Sequence, residues 1–154
     1  MPMNDGTPVI LTIRGSQWEG TATSDTMELV TEGILYRKDD AWFLRYKESE
    51  ATGLEGTTTT IRVDDPGTVS LIRTGSTHMR VTFVEGRRHV TRMELPYGVL
   101  DVDIYTNAVR AGLSDRGGEV HLGYSVELNS REPTNARLDV TFRHAGGATR
   151  SPEA

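Results

Sequence analysis

There is no cysteine in the 154 residues of the chain, which removes disulfides, thiol nucleophiles and thiolate metal sites. Aromatic residues make up only 6% of it, and no apolar run approaches the ~20 residues that a membrane-spanning helix requires. The opening Met-Pro-Met-Asn-Asp-Gly-Thr-Pro carries no cluster of positive charge, and the apolar alternation behind it, 9–13, is too short for a signal segment. No membrane partner and a cytoplasmic setting are the resulting expectations. Basic charge is also in deficit, with 17 Lys and Arg against 22 Asp and Glu and a formal net charge of -5. Such a chain lacks the field that drives sequence-independent phosphate binding, so nucleic acid is not an expected partner. The doublet Arg87-Arg88 beside Gly86 reads as a solvated turn.

Catalytic signatures are missing as well. His78, His89, His121 and His144 are dispersed, and no pair has the spacing of a helical zinc motif. Ser16, Ser70 and Ser125 lie outside any Gly-x-Ser-x-Gly elbow. Neither a metal nor a cofactor is expected, and no residue is nominated as catalytic.

What the chain does contain is alternation. Apolar residues fall at every second position through 7–15, 41–47, 69–74, 79–83, 99–105, 119–128 and 136–143, the period of a strand with one dry and one wet face. In 41–47 the inward set is Trp42, Leu44 and Tyr46. The run Thr57 to Thr60 before Ile61 suits a half-buried strand, because threonine is β-branched. Turns follow from composition at 38–40, at Asp64-Asp65-Pro66-Gly67 and at Gly75-Ser76. Segments 16–25, 48–56, 109–118 and 129–135 read as connections, with Trp18 folding back as a cap over one end of the core.

The stretch 79–106 reads as three consecutive antiparallel strands, and its first loop decides what the middle strand buries. A two-residue loop at 85–86 would turn Val90, Arg92 and Glu94 toward Met79, Val81 and Phe83. A three-residue loop at 85–87 turns His89, Thr91, Met93 and Leu95 there instead, burying the apolar pair, and is the expectation.

About ten strands with no full-length amphipathic helix would leave an open sheet with two bare edges and an uncovered face. The expected fold is therefore all-β, an antiparallel up-and-down barrel of about 8–10 strands. It should form a single domain over 1–154, ordered at about 7–144, with the small polar segment 145–154 as a flexible tail.

Ile72-Arg73-Thr74-Gly75, 79–83 with Gly86 behind it, and Met93 followed by Gly98, Leu100, Val102 and Thr106 resemble the YwiB-like proteins, small uncharacterised bacterial β-barrels of calycin-like, lipocalin-resembling fold. The likeness extends from about Thr7 to Phe142. It implies a barrel in a bacterial cytoplasm and carries no functional residues across.

Polar residues in an inward phase are the functional candidates, since a buried charge must be paired or must await a ligand. Arg73 and His89 share predicted faces with apolar neighbours, and with Trp42, Tyr46 and Tyr124 they form a candidate ligand-binding set: an aromatic wall and a cationic end suited to a small acidic or apolar molecule. The blander reading makes the aromatics core, Arg73 a rim residue and His89 a satisfied turn histidine. Asp101 and Asp103 share an outer face and read as solvated. The leading expectation is a non-enzymatic binding barrel. The alternative is an interaction module or homodimer using a sheet edge or outer face. An isomerase or hydrolase would need a perturbed acid or base at the cavity.

Overall fold

A computed structural model describes residues 6–19 and 22–145. It contains ten strands: β1 (Thr7–Glu19), β2 (Ala22–Lys38), β3 (Ala41–Lys47), β4 (Thr57–Asp65), β5 (Thr68–Gly75), β6 (Met79–Phe83), β7 (Arg88–Leu95), β8 (Gly98–Leu113), β9 (Gly117–Leu128) and β10 (Thr134–His144). A 3-10 turn, Glu50–Thr52, follows β3, with Ser49 accepting from the Ala51 amide as its cap. All ten strands join one antiparallel sheet in the order β6-β5-β4-β3-β2-β1-β10-β9-β8-β7. The all-β, nearly closed barrel agrees with the alternation in the sequence.

Alternate side chains fill the interior. Leu11, Ile13, Leu44, Ile61, Val69, Val81, Val102, Val120 and Val140 are almost wholly buried and come from eight different strands. Each contributes about 1.5–3 kcal/mol relative to exposure, so the core is a ring of small equal contributions.

Two segments read as connections are strand. Ser16 pairs with Thr26 and Arg137, and Gly15 with Met27 and Leu138, so β1 and β2 continue as a ribbon through most of 16–25. Trp18 lies in β1 opposite Asn135 and is not among the side chains packed on the core. Likewise Val109 pairs with Leu122 and Gly112 with Glu119, which leaves only Ser114 to Arg116 as a turn. The low strand propensity of Gly, Ser and Asp is outweighed where long partner strands supply a ladder on both sides. The tail expected beyond Ala145 lies outside the described residues.

The stretch 79–106 departs from three plain strands at one place. The Arg87 amide donates to the Val84 carbonyl (2.9 Å) across a β-turn whose central residues are Glu85 and Gly86, the glycine taking a φ of 80°. That loop is tied to β8, through Gly86 N–H to the Thr106 carbonyl (2.9 Å) and Thr106 N–H to the Arg87 carbonyl (3.0 Å). Strands β6 and β7 then meet only at an antiparallel bridge between His78 and Glu94. This bridge has the register the three-residue loop demands, and Val90, Arg92 and Glu94 face solvent while Met93 packs on the core. Between bridge and loop the strands form no ladder. The Thr82 amide is met instead by the His89 ring, at 3.4 Å to Nδ1.

This seam has a measurable signature. In an antiparallel pair inward and outward amides alternate, so the bridged Glu94 amide places those of Val90 and Arg92 on the β6 side, facing the seam. In native-state hydrogen exchange these two should exchange at least about a hundredfold faster than the amides of Val120 and Val140 in the barrel wall. Equal protection would show that the seam is closed in solution.

Candidate functional site

One register row brings the predicted residues together. Gly33, Tyr46, Thr59, Arg73 and Met79 are successive cross-strand partners on β2 to β6. Tyr46, Thr59 and Met79 are buried and Arg73 is half-buried. At Gly33 the row has no side chain, because a Cβ there would sit 2.5 Å from Leu11 Cδ1 and 2.6 Å from the Arg45 carbonyl oxygen.

Glu48 completes the cluster. Its side chain is 2% exposed, and Oε2 accepts from the Thr59 hydroxyl at 2.5 Å and lies 3.8 Å from an Arg73 terminal nitrogen. Arg73 Nε donates to Thr59 Oγ1 at 3.4 Å. Burial pushes the Tyr46 phenol well above its ordinary 10, the Glu48 carboxylate pushes it further, and the Arg73 charge opposes both. Burial also raises Tyr124, again against the charge of Arg73. The guanidinium is thus felt by both phenols.

Beside this cluster lies a cavity of about 320 Å³ at the end of the barrel where β1 finishes and β2 begins. Leu71, Met79, Val81, Phe83 and Ile104 give it an apolar wall, and Arg73, Tyr124 and Ser16 give it polar edges. The Phe83 and Tyr124 rings meet across the interior, with centroids 5.1 Å apart and planes tilted by 53°. A larger groove of about 910 Å³ lies alongside Ile34, Arg45, Lys47 and Thr58, whose strand phase is outward, so it belongs to the exterior.

The five nominated residues therefore divide. Tyr46, Arg73 and Tyr124 surround one polar cluster. Trp42 lies four residues from Tyr46 along β3, about 13 Å away, among the residues that line the opposite end, with the Arg37 guanidinium 4.7 Å over its ring. His89 does not line the cavity; its ring serves the seam at Thr82. Glu48 opens the stretch 48–56, whose polar composition reads as a connection, although it continues the inward phase of Leu44 and Tyr46 by two residues.

Outside the barrel, charges are matched across strands. Asp101 pairs with Arg92 (3.4 Å) and Asp103 with Arg88 (2.8 Å). His121 has Asp139 on Nδ1 (2.6 Å) and Glu119 on Nε2 (2.5 Å), and Arg137 Nε holds the same Asp139 at 3.0 Å. Hydrogen bonds to Asp139 and then Glu119 raise the His121 pKa above 6.5, while that to His121 lowers Glu119 below 4.5. The cluster's stabilising effect is therefore full between those two ordinary values. It fades as pH rises through the raised His121 pKa, and as pH falls through the lowered Glu119 pKa. The melting-temperature difference between the native chain and His121→Ala should be largest near pH 5–6 and shrink above neutrality. A difference that grows with pH would refute the assignment.

No curated protein matches the chain. A crystal structure of the ywiB protein from Bacillus subtilis is similar over 90% of this chain and 92% of its own, with a TM-score of 0.77 at 20% identity, a likeness of fold. A family model described as a domain of unknown function, DUF1934, matches residues 11–140. The chain belongs to this YwiB-like family.

Proposed function

We propose that the protein is a non-enzymatic binding barrel that holds one small apolar or acidic molecule at the open end of its interior, in the manner of calycin-like and lipocalin-like proteins. It would do so as a single domain in the bacterial cytoplasm. The observation that carries the reading is the Arg73 guanidinium at the edge of a cavity whose wall of Leu71, Met79, Val81, Phe83 and Ile104 is apolar. A guanidinium has five donors; here Thr59 and Glu48 engage it on one side, which leaves donors for an oxygen of a bound molecule. The phenols of Tyr46 and Tyr124 both have pKa values moved away from neutrality. That direction suits packing and hydrogen bonding better than proton transfer, which favours a pKa near the working pH.

The test is thermal stabilisation by a panel of acyl and aromatic carboxylates and their uncharged counterparts. A ligand at ~100 Kd adds about 2.7 kcal/mol, and Arg73→Met should weaken any hit about tenfold or more. The reading fails if no compound raises the melting temperature.

A second reading is favoured by a separate observation. Val90, Tyr97 and Val99, on the outer face of the β7–β8 hairpin and its turn, are 68%, 82% and 55% exposed. They surround the strand that lacks a continuous ladder to β6, and a second copy of the chain packing there would cover them. Sedimentation should then show a dimer that Val99→Glu dissociates. A monomer at every concentration would exclude this role.

A further inference from the structure

From the charges around Arg73 we infer that the cavity selects an uncharged molecule carrying a hydrogen-bond acceptor, and that Glu48 is the specificity residue that turns carboxylates away. The inference rests on the interior-binding reading. The Glu48 side chain is 2% exposed, 3.8 Å from the Arg73 guanidinium, and held in place by the Thr59 hydroxyl at 2.5 Å. The positive charge on the wall is thus already balanced by a carboxylate that has no room to swing into solvent. Of the remaining charged residues of the lining, Asp25 and Arg137 are exposed and opposite in sign, and Arg137 is already engaged by Asp139, so they add no net positive charge.

An anion entering this neutral pocket would lose its hydration without meeting a net positive charge. It would also stand close to the Glu48 carboxylate, and two like charges at one site disfavour each other. An uncharged amide, ketone or ester meets neither obstacle. Its oxygen can accept from Arg73 while its apolar body lies on Leu71, Met79, Val81 and Phe83. Tyr46 adds a neutral phenol to the same cluster, since burial and Glu48 both keep its proton in place.

Octanamide and octanoate differ in charge and hardly in size, so the pair isolates the effect. By calorimetry at neutral pH the native protein should bind octanamide about tenfold or more tightly than octanoate. Glu48→Gln removes the charge and keeps the shape. In that variant octanoate should gain about tenfold or more and octanamide should change less than about threefold. Octanoate binding as well as octanamide in the native protein, or an unchanged ratio in folded Glu48→Gln, overturns the inference while leaving interior binding intact. Should the variant fail to fold, the ratio in the native protein decides by itself. Failure of both probes to bind the native protein removes the interior site, and this inference with it.

Discussion

The pairing of β1 with β10 holds this fold together. Every other ladder joins strands adjacent in the chain, so hairpins could form one by one, but β1 must find a partner at the far end of the sequence. Ten cross-strand partners, from Val9 opposite His144 to Trp18 opposite Asn135, make that join. The entropy of closing so long a loop is lost before the contact returns anything. Val9, Leu11, Ile13, Val140 and Phe142, all buried and all on these two strands, supply the compensating burial. With β1 and β10 apart, the hairpins on either side would be separate curved sheets with bare faces.

Closure at the other end is of a different kind. The loop before β7 is pinned to Thr106 on β8, so β7 belongs to β8 and only leans on β6. The His78–Glu94 bridge and the His89 ring do the work that a ladder does elsewhere. A histidine expected to face a ligand is instead spent on a backbone amide, because an edge donor at a half-open seam needs an acceptor.

The interior polar cluster follows from the same geometry. Tyr46, Thr59 and Arg73 belong to one row of the sheet, and Glu48 stands where β3 runs out and the chain turns over the barrel end. Even a half-buried guanidinium without a counter-charge would be costly, and Glu48 meets that need. The outer face solves the opposite problem, covering rings that no layer packs upon. The Tyr36 and Phe43 rings stack at 4.9 Å, and the guanidinium groups of Arg45 and Arg62 lie 5.6 Å and 5.4 Å over them. Inside and outside, arginine is the residue that reconciles strand periodicity with exposure.

Period-two alternation is local, and the sequence by itself determined what depends on it: the all-β class, the inward faces of β3, β5, β6, β9 and β10, and the phase of β7 that turns Met93 inward. Tyr46, Arg73 and Tyr124 were legible as inward polar or aromatic residues for the same reason. The extension of β1 and β2 through 16–25 was not, since Gly15, Ser16 and Asp25 have weak strand preferences and only a ladder with a partner strand makes them extended. Nor was the distance between Trp42 and Arg73, or the diversion of His89 to the seam. Which row a side chain occupies depends on register between strands, and register is set by contacts across the barrel. Tertiary structure alone decided that Arg73 meets Glu48, because a charge's partner is chosen by proximity in space, which alternation along one strand does not encode.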